Sequence, residues 1–495
     1  MIDQTLPNAR RTSTRMLSIV ALGLSLALAH SCGSERSSTS DNVAVALDQT
    51  SSPAGVDQIP QDKMRVLKET PFERAWDLEL HERVHMTWIS PNVPELVFFQ
   101  TEDSKSIHAV DTMSGATRWV SQPLPKPIMT AHQPHVSRVK VNTDQGERYN
   151  DDRLYVISDD ILFCFDAIGG QLIWRYTLPF SPATGALALG NESNLRVYIG
   201  DWAGHVRVTT VHPEKRFAHE VWQWNVQHSL SAMPVDREEL VYVGDHGGNM
   251  HCFGLDRELK WSFAAGSSIP GAAVVRERSL YFGNEDNVFY ALNRLTGEQL
   301  GQVNLNGPVT RQPFLFRDDP KRVYTWVSSS NRRVGGIYAI RSVPDTIFFE
   351  NDSADHPHRP LEVVRLAQDW HFPGVTRLVS STPQHLYMTY PDSTIVLAIR
   401  RDDGSLDWAW DSAEERAGGK RGPRVTMITE YQDPTDLNRG IYTCDDSGRV
   451  ISYRFFGFVP HTDNSRVADK SQKEALQMPK SRKAKADAGA APAKE

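Results

Sequence analysis

The chain is poor in cysteine, in excess charge and in long apolar runs. Its 495 residues include four cysteines, Cys32, Cys164, Cys252 and Cys444, none in a CxxC spacing. A disulfide-stapled scaffold and a zinc finger are therefore excluded. Lys plus Arg total 54 against 61 Asp plus Glu, a net charge of -7, so no global basic field exists to hold a polyanion. Outside the N-terminal region no apolar run approaches the ~20 residues of a membrane-spanning helix, which excludes a multi-pass membrane protein. What is present is 40% hydrophobic residues and 12 Trp, enough for a sizeable core. The length suits about three domains or one large repeat architecture.

The N-terminus reads as an address. Arg10, Arg11 and Arg15 precede the uncharged run Leu17 to Ala29, which closes on Ala27-Leu28-Ala29 and is followed by His30-Ser31-Cys32. A basic region, a short apolar run and a small-residue site make a secretory signal. Cys32 resembles the lipidated cysteine of a bacterial lipoprotein, which becomes the mature N-terminus. Cleavage after Ala29 and release is the other outcome. Residues 1–32 are thus assigned to the signal and 33–68, rich in Ser and Thr, to a flexible tether with too little to bury. Residues 467–495 carry seven Lys/Arg, four Asp/Glu and no aromatic residue, and read as a solvated, disordered tail or a weak basic contact to an acidic surface.

Between these ends the sequence repeats itself. LVYVGDHGGNMHCFGLDRELKW from Leu240 and RLYVISDDILFCFDAIGGQLIW from Arg153 share one plan with six other stretches. Each is an alternating strand, a Gly/Asp/Asn turn, a second strand, a second turn and a third strand. An aromatic residue opens each copy, at Phe98, Tyr155, Tyr198, Tyr242, Tyr281, Tyr324, Tyr387 and Tyr442. A small or medium residue recurs in the second strand, at Ala109, Cys164, Val208, Cys252, Ala291, Ala339, Ala398 and Ser452. That column makes Cys164 and Cys252 buried space-fillers, and Cys444, two residues after Tyr442, reads as structural too.

The third column is Trp. Trp119, Trp174 and Trp408 follow a turn glycine by four residues, Trp261 and Trp370 end copies four and six, and Trp222 or Trp224 ends copy three. Copy five has Gly301 there, and copy eight stops near Tyr453 without a Trp strand. Trp76 lies ahead of the first copy and supplies the missing strand if the N-terminal segment closes a ring. Closure removes the exposed edges that an open stack would leave. First strands are expected in VHMTWI, IMTAHQPHV, ATGALAL, LSAMPV, PGAAVV, PVTRQPFLF, TRLVSS and VTMITE. The expectation is an all-β, eight-bladed propeller of four-stranded antiparallel blades over residues 72–459, roughly 48 residues per blade against the ~40–50 typical of such repeats.

The unit A-x-D, then T/S-G, then W four residues on, is similar to the quinoprotein-type or PQQ-like repeat, and the resemblance covers most of the chain. One branch, the quinoprotein dehydrogenases, implies pyrroloquinoline quinone and Ca²⁺. The adjacent Cys pair, the CxxCH motif and an acidic Ca²⁺ cluster that would support it are not found in the sequence. The other branch, the outer-membrane assembly lipoproteins of the BamB type, implies a non-enzymatic scaffold tethered by a lipidated Cys. The expected role is an exported, lipid-anchored, monomeric protein-interaction scaffold at the bacterial envelope, without cofactor, metal or nucleic acid. The alternatives are a PQQ-dependent oxidoreductase or its degenerate relative, and a binder of cell-surface polysaccharide.

Other candidate sites have plain readings. His132 with His135 and His246 with His251 do not put both rings on one strand face, and no nearby Cys or carboxylate completes a tetrahedral set with these or with His356 and His358. Asp201, Asp245, Asn284 and Asp445 recur at the first turn, where short polar side chains tolerate tight backbone. A Ser-His-Asp triad is not excluded, but no G-x-S-x-G elbow appears. Long insertions at 121–152, 342–369 and 411–439 are the expected places for binding. They carry His132, His135, Arg138, Lys140 and Arg148 in the first, and Phe348 and Phe349 in the second.

Overall fold

The computed structural model describes Val66–Leu67 and most of 72–455, with the longer gaps at 348–360, 413–423 and 426–439. The signal with Cys32, most of the tether, the tail, Asp445, His356, His358, Phe348 and Phe349 lie outside the described residues. Every regular element described is a strand, and the strands form eight sheets, seven of four strands and one of five. Each sheet is an antiparallel meander of first, second, third and fourth strand, so the chain is an eight-bladed propeller. The first strands of blades three to six have only three residues each.

The three columns form one transverse row in every blade. The opening aromatic pairs with the small residue in all eight: Phe98 with Ala109, Tyr155 with Cys164, Tyr198 with Val208, Tyr242 with Cys252, Tyr281 with Ala291, Tyr324 with Ala339, Tyr387 with Ala398 and Tyr442 with Ser452. The small residue then pairs with Trp119, Trp174, Trp222, Trp261, Gly301, Trp370, Trp408 and Trp76 in turn. Trp222, not Trp224, is therefore the third blade's member of the column. Trp76 sits on Phe72–Glu79, which supplies the fourth strand of the last blade and closes the ring, its indole 5.6 Å from the Tyr442 ring. The residue before each of these positions is skipped in the ladder, a β-bulge present in all eight fourth strands.

Trp76, Trp119, Trp261 and Trp370 join each blade to the next. Their indole N–H groups donate to the carbonyls of Thr112, Ala167, Arg294 and Arg401 at 3.0–3.1 Å. These carbonyls belong to the following blade's second turn, whose Gly115, Gly170, Gly297 and Gly404 all sit at φ between +71° and +74°. A Cβ at any of the four would fall 2.4–2.7 Å from the Trp ring beneath it. Glycine is needed twice over, for its left-handed backbone and for the ring it covers. Trp174 is buried and Trp408 half-buried, so they share the column without this turn above them.

Several expectations need correction. The second blade's first strand is His135–Asn142 and not the stretch from Ile128. In the eighth blade only Arg424–Val425 is described as first strand. Much of the supposed insertion 121–152 is a lengthened hairpin, His135–Asn142 with Arg148–Ser158. The segment 342–369 likewise belongs largely to the pair Gly336–Ile347 and Leu361–Pro373. Both read as loops because a strand pair longer than its neighbours falls out of register with the repeat. Val66–Leu67, counted with the tether in the sequence, pairs in parallel with Ala409 and Trp410 at the outer edge of the seventh blade. Gly301 lacks a Trp for a physical reason: a Cβ there would already lie 2.1 Å from the Val364 carbonyl of the next blade's long hairpin.

Truncating Trp76 should cost ~3–5 kcal/mol, as for any buried Trp replaced by Ala, and so match Trp174→Ala in thermal unfolding. Gly404→Ala should also destabilise, whereas removal of 33–64 should leave the melting curve in place. A harmless Trp76→Ala would contradict ring closure.

Candidate functional site

In an up-and-down blade, the second-to-third turns and the blade-to-blade connectors share one face of the disc. That face is tied together by a repeated hydrogen bond. The turn N–H of Glu102, Trp202, His246, Glu285 and Ser328 donates to the connector carbonyl of Arg83, Ser181, Ser229, Ser268 and Pro308, at 2.8–3.4 Å. The residue just before each turn donor in blades three to five, Asp201, Asp245 and Asn284, is buried.

These three are more than turn formers. Asp201 accepts from the backbone N–H groups of Ala203 and His205 and from Arg207 Nε at 2.8 Å, with the His205 ring at 3.0 Å. Asp245 accepts from the Asn249 backbone at 2.7 Å and lies 3.1 Å from His251 Nε2. Asn284 accepts from the Val288 N–H and donates to the Ala265 carbonyl, which also receives the Tyr290 hydroxyl. The residue six on thus follows the turn residue: Arg207 and His251 bond the acids, and Tyr290 shares the Ala265 carbonyl with the amide. Burial alone would raise the Asp201 and Asp245 carboxyls. At Asp201 the His205 backbone and Arg207, and at Asp245 His251 and the Asn249 backbone, outweigh it and hold both below the ordinary carboxylate value.

Ser262 Oγ lies 3.1 Å from His251 Nδ1, completing a chain Ser262–His251–Asp245. The arrangement resembles a hydrolytic relay, but the other blades explain it. The places of His251 and Ser262 are held by Arg207 and Gln223 in blade three and by Tyr290 and Gln302 in blade five. Ser262 stands opposite His251 in the ladder, without the sharp turn that presents a nucleophile. The chain of bonds is architectural.

Above this buried layer the turns differ. Trp202 is 52% exposed, and it is the only one of the twelve Trp that is not buried or half-buried. Its ring lies within 11° of parallel to that of His246 on the next blade, centroids 6.4 Å apart, and His246 Nδ1 meets Ser268 Oγ at 3.2 Å. The His228 ring rests on Gly247, where a Cβ would come within 2.1 Å of it. Glu285 and Asp286 are exposed on the fifth blade. The result is an aromatic and imidazole platform bordered by two carboxylates, suited to docking a side chain by stacking and charge. Residue-by-residue inspection of the sequence passed over Trp202. The available signal was that it stands at a first turn, outside the Trp column.

The four described histidines of these pairs have separate surroundings. His132 is buried with Nε2 3.1 Å from the Pro182 carbonyl, His135 opens the second blade's first strand, His246 is exposed and His251 serves Asp245. Arg138 is engaged with Asp152 and the Asn92 carbonyl. Among the described residues no group of three His, Cys, Asp or Glu converges as a metal site would, and Cys164, Cys252 and Cys444 are buried.

Residues 214–324, which include blades four and five, match the family model described as outer membrane protein assembly factor BamB, a PQQ-like repeat model. The chain is similar to the crystal structure of BamB from Moraxella catarrhalis, at 15% identity over 78% of this chain and 100% of that one, with a TM-score of 0.48. It is similar also to the computationally designed Ika8 protein, at 12% identity over 77% of this chain and 99% of that one, with a TM-score of 0.49. It matches none of the curated proteins with which it was compared.

Losing the Asp201 charge should show in the acid limb of stability. The depressed carboxyl contributes above the unfolded value near 3.8 and loses its contribution as pH falls through the folded value. Asp201→Asn should therefore be less stable than wild type at pH 7, since the carboxylate's charge on Arg207 and His205 is lost. The difference should shrink below about pH 4. A pH-independent gap between the two denaturation curves would assign Asp201 a purely steric role.

Proposed function

We propose that the protein is an exported, lipid-anchored scaffold that docks other polypeptides at the bacterial envelope, with the turn face of blades three to five as its docking surface. The observation that carries the reading is Trp202. A fold that buries or half-buries eleven Trp and exposes the twelfth, stacked on His246 of the next blade, presents the kind of aromatic anchor found at interface hot spots. The match of residues 214–324 to the BamB model supports a role of the same kind, in which a rigid propeller presents turns to protein partners. The basic and apolar run ahead of Cys32 supports export and anchoring, on the periplasmic side of the outer membrane or at the cell surface. The reading requires no quinone, metal or nucleic acid. No catalytic residue is assigned.

Anchoring is tested by fractionation: the wild-type protein should sediment with membranes and Cys32→Ala should move to the soluble fraction. Equal partition of the two would remove the anchor. Docking is tested by crosslinking in intact envelopes, comparing Trp202→Ala with Met129→Ala, a control exposed to a similar degree. Trp202→Ala should weaken partner capture by the ~2 kcal/mol or more of a hot-spot residue without lowering the melting temperature. Unchanged capture would exclude this face.

A further inference from the structure

Fourth strands leave their outer N–H and C=O groups without a ladder partner, and such an edge invites pairing with another chain. Most of the eight edges here are visibly managed. The third blade's long hairpin lies against Leu172–Thr177 of the second, and the sixth blade's lies against Gln299–Asn304 of the fifth. The sixth blade's own edge strand ends in Pro373, which has no N–H to offer. The eighth carries Glu73, Arg74, Asp77 and Glu79, and Asp77 is paired with Arg449 and Arg74. The first is only four residues long.

The seventh blade shows what an open edge does in this protein. Beyond its bulge, the segment Trp408 to Asp411 takes a fifth strand, Val66 beside Ala409 and Leu67 beside Trp410, in parallel. Ala409 and Trp410 are buried. The repeat gives the fourth blade the same segment, Trp261-Ser262-Phe263-Ala264, again just beyond a bulge. Among the described residues its strand, Leu259–Ala264, pairs only with Asn249–Gly254. Ser262 and Ala264 are exposed, Phe263 is half-buried and Leu259 is 54% exposed. The same backbone carries a fifth strand at one blade and, among the described residues, none at the other.

We propose that the outer edge of the fourth blade, Trp261 to Ala264, binds an extended strand of a partner polypeptide by parallel β-augmentation, as the seventh blade binds Val66–Leu67. The occupant has apolar residues alongside Trp261 and Phe263 and small or polar residues alongside Ser262 and Ala264. Main-chain hydrogen bonds supply the attachment, and the alternation supplies selectivity. This surface is separate from the turn face and does not depend on it.

The probe is a synthetic peptide of residues 61–70, QDKMRVLKET, with photoreactive benzoylphenylalanine in place of Leu67, irradiated with the full-length protein. Adducts mapped by mass spectrometry should fall on 259–264. They should be lost in Leu259→Lys/Ala264→Lys, a pair of exposed changes expected to leave the melting temperature unaltered. Trp202→Ala should leave them in place, so the turn-face reading stands or falls separately. Adducts confined to 406–411, where the peptide displaces the chain's own strand, overturn the proposal. So does their absence, or their persistence in the double-lysine protein.

Discussion

An indole lying under the turn glycine of the next blade is the contact on which the ring depends. At four of the eight junctions a Trp donates to a turn carbonyl while its ring fills the space that any Cβ on the glycine would need. One contact supplies burial, a hydrogen bond and a steric key, so it orients two sheets as well as attracting them. At the sixth-to-seventh junction an ion pair reinforces it. Arg401, whose carbonyl receives the Trp370 N–H, forks onto both oxygens of Asp318 at 2.9 Å and lies 4.2 Å from the Phe316 ring centre.

The junctions that lack this contact show what replaces it. The fifth blade has Gly301 because the sixth blade's hairpin backbone already occupies the site. The seventh meets the eighth where the chain closes, and there Phe72 of the N-terminal strand packs against Trp408 and Trp410. Closure therefore explains two irregularities together: the Trp stranded ahead of the first copy and a seventh-blade Trp with no turn glycine above it. The same N-terminal segment, through Val66–Leu67, covers the edge of the blade it has just passed.

The transverse row was legible because side chains that must pack at fixed size repeat at fixed spacing; Tyr155, Cys164 and Trp174 could be aligned without coordinates. The bulge before each Trp was not legible. It inserts a residue of any type, from Arg118 to Asp407, and so leaves no composition signal. First strands of three residues are too short to show a period, which is why the second blade's was placed too early. Hairpins that outgrow their blade look like insertions, as His135–Asn142 did, because alignment to a repeat penalises extra length whatever its structure.

The candidate site was legible only in its buried half. Asp201, Asp245 and Asn284 recur, and recurrence in a propeller is evidence of construction, as the exchange of Arg207, His251 and Tyr290 beneath them bears out. Specific recognition has to come from what one blade has and the others do not. Trp202 is such a departure, and so is the outer edge at Ser262. The first stands on a turn of the third blade and the second on the outer strand of the fourth, which among the described residues pairs with no strand of another blade. An architecture that repeats its core eight times can afford variation only on turns and edges, and there the blades stop resembling one another.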